Sequence, residues 1–253
     1  MVKKIWFLLI IGLISFTLAA CGDSESTGKV PAENETNEDN ENKSSAERQL
    51  EWAEEQENEN DEGDKTDARI AAEESGEWEE ADFGKIKVAG VGYNDEVGID
   101  GTDSPGKALE LGPVKLHIDS LTVIDIEPDE DNKEYLFDGK DKVKAVIIDM
   151  QVENTSDDDI EFYPNQSILV TDTGEQVESD MLLMGEAGGE FFGKVKKEGQ
   201  TWWILKDSEK DIKTIKMIIS PPHSADEWED LAEEKRLEFE VLSFEEAKKR
   251  DGE

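Results

Sequence analysis

Any chemistry in this 253-residue chain must come from a short set of side chains, since it holds one cysteine, Cys21, and two histidines, His117 and His223. A single thiol excludes an intramolecular disulfide and the Cys-rich zinc modules, and two imidazoles exclude multi-histidine metal centres. His117 lies between Lys115 and Asp119 on the polar side of an alternating stretch, and no Gly-x-Ser-x-Gly elbow exists to complete a Ser-His-Asp relay. His223 follows Pro221-Pro222 and reads as a loop residue. No catalytic residue is assigned.

Carboxylates are the abundant ligands, and hard cations take clustered carboxylates and carbonyls on turns. Three loops offer candidate calcium ligands: Asp95, Asp100 and Asp103; Asp129, Glu130 and Asp131; Asp157, Asp158 and Asp159. None carries the Asp-x-Asp-x-Asp-Gly loop with its distant Glu, so neither a metal nor another cofactor is assigned. Trp202 and Trp203 are adjacent, which in a strand sends one ring to the core and the other outward. An outward indole is a candidate anchor for a partner or a sugar ring, unless a helix after Ser224, with Trp228, covers it. Phe191-Phe192 and Phe162-Tyr163 pose the same alternative.

The remaining reactive group, Cys21, has a distinctive setting. Lys3 and Lys4 precede an apolar run from Ile5 to Leu18, and Leu18-Ala19-Ala20-Cys21 follows. That order is a secretion signal, and the run is too short for a membrane span of about 20 residues. Small residues before a cut let a peptidase approach the backbone closely. The segment resembles bacterial lipoproteins, whose lipobox Leu-Ala-Ala-Cys it matches at Leu18 to Cys21. The resemblance implies cleavage between Ala20 and Cys21, a diacylglyceryl thioether on Cys21, and a signal peptide over residues 1–20. Two acyl chains hold a protein to a bilayer where one barely does.

Residues 22–80 carry 22 acidic and 5 basic side chains with few large apolar ones, the composition of a solvated chain. Residues 21–81 therefore read as a lipidated N-terminus and a disordered acidic linker. The whole chain has a formal charge of −38, which excludes nucleic acid as a partner because phosphate binding needs Lys and Arg to displace counterions.

Residues 82–253 read as one domain, and they must hold whatever else functions. Short apolar alternations predict strands at Ile86–Val91, Pro113–Ile126, Lys142–Asn154, Ser167–Thr171, Gln176–Met181, Phe191–Val195, Thr201–Leu205, Ile212–Ile219 and Arg236–Leu242. The apolar phase slips after Ser120, which predicts a bulge or a change of strand. Lys142–Asn154 should be central, and Asp172-Thr173-Gly174 should close a hairpin. Ser224-x-x-Glu227 and Ser243-x-x-Glu246 are capping boxes that predict short C-terminal helices, the first reaching about Glu234. The fold class is mainly β, an antiparallel immunoglobulin-like sandwich with one or two short C-terminal helices.

Between Ile86 and Val241 the chain resembles uncharacterised Gram-positive lipoprotein domains with a telokin-like, immunoglobulin-type sandwich. The matching pieces are Gly112–Ser120, Val146–Ser156, Leu169–Val177, and Glu198-Gly199 leading into Trp202–Leu205. Residues 127–142 and the helix after Ser224 stand as insertions. The resemblance implies extracytoplasmic placement and a fold used for interaction. The expectation is a non-enzymatic binding module on the outer face of a Gram-positive cell membrane, held there by its lipid and meeting an unidentified protein or envelope partner. An envelope glycan hydrolase with paired carboxylates and a cation-binding or salt-adaptation protein are the alternatives.

Overall fold

The computed structural model describes residues 74–80, 83–99 and 106–251. Ala20, Cys21, Asp100, Asp103, the signal segment and most of the acidic linker lie outside those residues. Along the chain come β1 (Glu77–Glu80), β2 (Gly84–Tyr93), β3 (Leu109–Leu111), β4 (Val114–Glu127), helix α1 (Glu130–Phe137) and β5 (Val143–Asn154). Next are β6 (Ile160–Phe162), β7 (Ile168–Thr171), β8 (Gln176–Val177), β9 (Gly189–Phe191) and β10 (Lys196–Ile204). The series closes with β11 (Thr214–Ile219), β12 (His223–Ser224), β13 (Lys235–Leu242) and helix α2 (Phe244–Arg250).

A large antiparallel sheet runs β10-β5-β4-β2-β13-β11-β7-β8, with β1 beside β2 and β3 beside β4. It folds over on itself because β2 serves both halves. The first part of β2 pairs β4, from Lys85 opposite Glu127, while its last residues, Val91 to Tyr93, pair β13. A register shift between Val88 and Gly90 turns the strand. Gly90 lets the halves meet there, since a Cβ on it would stand 2.6 Å from Val241 Cγ1. The enclosed core joins Leu116, Ile118, Val146, Ile148 and Trp203 of one half to Leu169, Ile215, Met217 and Phe239 of the other. This is a β-sandwich. β5 lies between β10 and β4, and Val143 to Ile148 are buried on both faces.

The structure departs from the sequence-based expectations in three places. The folded part does not begin at residue 82, because β1 pairs β2 from Glu77 opposite Lys87, Trp78 packs onto an apolar cluster and Lys87 bonds Glu77 at 2.7 Å. The insertion over residues 127–142 contains α1, whose Phe137 is buried, and α2 is the expected short C-terminal helix. No helix begins at Ser224. Glu227 N–H does reach Ser224 Oγ at 3.4 Å, but Trp228 turns left-handed at φ 56°, and His223 bridges back to Asp230. A run dense in acids and without a basic residue repels itself at helical spacing, and its apolar residues Leu231 and Ala232 reach the main core without a helix. The strand expected over Phe191–Val195 ends at Phe191.

Candidate functional site

A second sheet, β12-β6-β9, closes one end of the sandwich. Its inner residues Ile160, Phe162 and Phe191 enter the main core. Alternation then turns Glu161, Tyr163, Glu190 and Phe192 outward. Register sets Glu161 directly opposite Glu190 and places His223 opposite Glu161 on the other side. Cβ atoms so paired stand about 4.5–5.5 Å apart, and like charges facing each other are destabilising. Among the described residues neither glutamate makes an ion pair. Tyr163 Oη donates to Glu161 Oε2 at 3.3 Å, and burial, with Glu161 and Glu190 adding to it, holds that phenol above its ordinary pKa. His223 Nδ1 lies 2.8 Å from Asp230 Oδ1 but outside hydrogen-bond geometry, and that nitrogen is buried.

One step further along the strands come Asp159 and Phe192, then Ala225, whose N–H bonds the Asp159 carbonyl at 3.1 Å. Residues 223–230 form a small hairpin bearing Trp228. Phe192 and Trp228 are 70% and 69% exposed, as are Tyr135 on α1 (70%) and Met181 (87%) elsewhere, and of these only Phe192 and Trp228 lie beside the carboxylates of the second sheet. The hairpin is seated on the β3–β4 turn, where a Cβ on Gly112 would stand 2.3 Å from Leu231 O. Asn154, the last residue of β5, bonds the carbonyls of Asp158 and Gly193 at 2.8 and 2.9 Å and ties the neighbouring loops to the same end. Val114 pairs Asn154 at that end, while the described chain enters beside Val88, which pairs Ile124. Ten residues of β4 separate the two levels, about 33 Å at strand rise.

A further polar group surrounds the bulge in β4. Asp119 is the extra residue between Ile118 and Ser120. Burial raises its pKa and nearby Asp149 adds to the rise, while His117, Lys196 and a hydrogen bond from Gln151 act against it. Ser120 Oγ donates to Asp149 at 2.6 Å, Gln200 Nε2 donates to the same carboxylate at 3.1 Å, and Trp202 Nε1 donates to Gln200 at 3.1 Å. His117 is therefore a half-buried neighbour of a carboxylate pair on a sheet face.

Trp202 and Trp203 do point to opposite faces, but they are 7% and 0% exposed. Neither offers an open ring. Trp203 fills the main core and donates Nε1–H to Ser167 O at 2.8 Å. Trp202 joins a second cluster with Ile124, Phe137 and Ile147, sealed by Phe83, Leu136 and Leu183. The expected cover was real but comes from these residues and α1, since Trp228 lies exposed elsewhere. Of the calcium candidates, Asp157 pairs with Lys194 at 3.0 Å, Asp158 and Asp159 lend carbonyls to neighbouring loops, and Asp95 lends its carbonyl to Lys107. Among the described residues no three His, Asp or Glu side chains converge as metal ligands. Glu161 and Glu190 escaped sequence reading because alternation fixes each one's face but not which strands pair.

The molecule is thus a β-sandwich with an uncovered sheet face of carboxylates and aromatics at one end. The chain belongs to the family described as a domain of unknown function, DUF5068, which its residues 101–250 match. It is similar to the SPbeta prophage-derived uncharacterized lipoprotein YonS of Bacillus subtilis (strain 168), 35% identical over 85 residues, covering 32% of this chain and 42% of that protein. It spans less than half of that relative's length. Among solved structures it is similar to a functionally unknown protein from Listeria monocytogenes EGD-e, at 11% identity, covering 62% of this chain and 87% of that one with a TM-score of 0.41.

Proposed function

We propose that this chain is a lipoprotein, cut between Ala20 and Cys21 and held by a diacylglyceryl thioether on Cys21 at the outer face of a Gram-positive cell membrane. Its immunoglobulin-type sandwich acts there as a non-enzymatic interaction module. The lipobox residues and the relative that is itself a lipoprotein support the anchor. The observation that carries the interaction reading is the exposure of Phe192 and Trp228 at the end of β4 remote from chain entry. Exposed aromatics on a rigid end are the side chains that dominate binding hot spots. No metal takes part, and calorimetric titration with Ca²⁺ should give no saturable heat at millimolar metal.

The test is photocrosslinking on intact cells with benzoylphenylalanine at position 192, and at position 135 on α1 as an equally exposed control. A discrete adduct from 192 alone is expected. Equal products from both positions, or none from either, would overturn the reading.

A second reading, an envelope glycan hydrolase, is favoured by one observation: Asp119 is kept protonated to higher pH beside Asp149, as an acid–carboxylate pair requires. Incubation with purified cell wall decides it. Release of reducing ends that is lost in both Asp119→Asn and Asp149→Asn would establish the hydrolase.

A further inference from the structure

We propose that the outer face of the β12-β6-β9 sheet docks a basic polypeptide segment, seating a lysine or arginine side chain over the Glu161–Glu190 pair between Tyr163 and Phe192. This rests on the reading of the chain as an interaction module and names the partner's chemistry.

Tyr163 and Phe192 stand two residues beyond Glu161 and Glu190 on the same face, and antiparallel pairing puts them on opposite sides of the carboxylate row. A cation placed there meets two carboxylates flanked by aromatic rings. Ring faces attract ammonium and guanidinium groups, and guanidinium also stacks on them. The cation removes a repulsion that the free protein carries. A neutral sugar would leave that repulsion in place, and an anionic headgroup would add to it.

The surrounding charge points the same way. Asp158, Asp159, Asp226, Glu227, Glu229 and Asp230 lie on the strand ends and hairpin beside the face, whereas the lysines near β9 are already engaged, Lys194 with Asp157 at 3.0 Å and Lys197, over the inward Phe191 ring, with Gly188 O at 3.0 Å. The row from Tyr163 through Phe192 toward the hairpin of Trp228 is longer than one side chain, so an extended segment fits it better than a small amine.

The test uses the full-length chain in detergent micelles and a fluorescent lysine- and arginine-rich peptide at low and physiological salt. Because the whole protein is acidic, a control triple variant, Glu77, Glu79 and Glu80 each changed to Gln on β1, removes charge elsewhere. Glu161→Gln with Glu190→Gln, and separately Phe192→Ala, should weaken binding by about tenfold or more, the control by less than about twofold. The double Gln variant should also melt higher than wild type, which shows that it folds and that the repulsion exists. The proposal fails if the control weakens binding as much as the double variant, if Phe192→Ala has no effect, if spermine competes as well as unlabelled peptide, or if the peptide does not bind. Failure with a retained crosslink from position 192 removes only the basic partner. Loss of both removes the interaction reading as well.

Discussion

Phe83 lies against Trp202 with ring centroids 4.7 Å apart and planes 22° from parallel. The contact seals the outer face of the β10-β5-β4 half, where an indole would otherwise meet water. Phe83 also approaches Phe137 of α1, at 6.4 Å between centroids, so one residue joins the segment before β2 to the helix. Phe83→Ala should cost about 2 kcal/mol, from lost apolar burial and ring stacking. Urea unfolding followed by tryptophan fluorescence measures it. A change below about 0.5 kcal/mol would mean that the cluster around Trp202 is held by its other members.

Asp119 gives the pH dependence. Its folded-state pKa lies above the ordinary carboxylate value, chiefly through burial, so the folded protein holds this proton more tightly than the unfolded chain does. That contribution is fully present below the ordinary carboxylate pKa and is lost as pH rises through the raised one. Asp119→Asn should therefore be more stable than wild type at neutral pH, and the advantage should vanish in acid. Thermal melts of both proteins across the acidic range check the sign. A variant less stable at neutral pH would contradict the assigned burial.

The hairpin bearing Trp228 depends on Gly112, at φ 63° with Leu231 O against its Cα. Any side chain there meets both backbone strain and a collision. Gly112→Ala should cost more than about 2 kcal/mol and speed hydrogen exchange at the Leu231 amide, which bonds Pro222 O at 2.8 Å. Unchanged protection at Leu231 would show that the hairpin is seated by other contacts.

Much of the sandwich was legible in the sequence, because alternation in residues such as Val114, Leu116 and Ile118, or Ile215, Met217 and Ile219, leaves one buried face per strand. The bulge was legible too, from the phase slip beside Ser120. Helices were harder to read. The box at Ser243 forms fully, with Glu246 accepting from Ser243 N–H at 3.1 Å, and α2 gains basic residues in its last turn. The same four-residue signal at Ser224 closes only a turn, since the residues after it supply no basic side chain to offset their acids. The docking face was hidden for another reason. Glu161 and Glu190 are 29 positions apart and meet only through strand pairing, and the aromatics beside them read equally well as core.

All placement of this protein begins at Cys21. Metabolic feeding with an alkyne-tagged palmitate analogue, followed by gel fluorescence of the immunoprecipitated chain, measures the lipid there directly. Labelling of wild type and its loss in Cys21→Ser is the predicted result; equal labelling of both, or of neither, would contradict it.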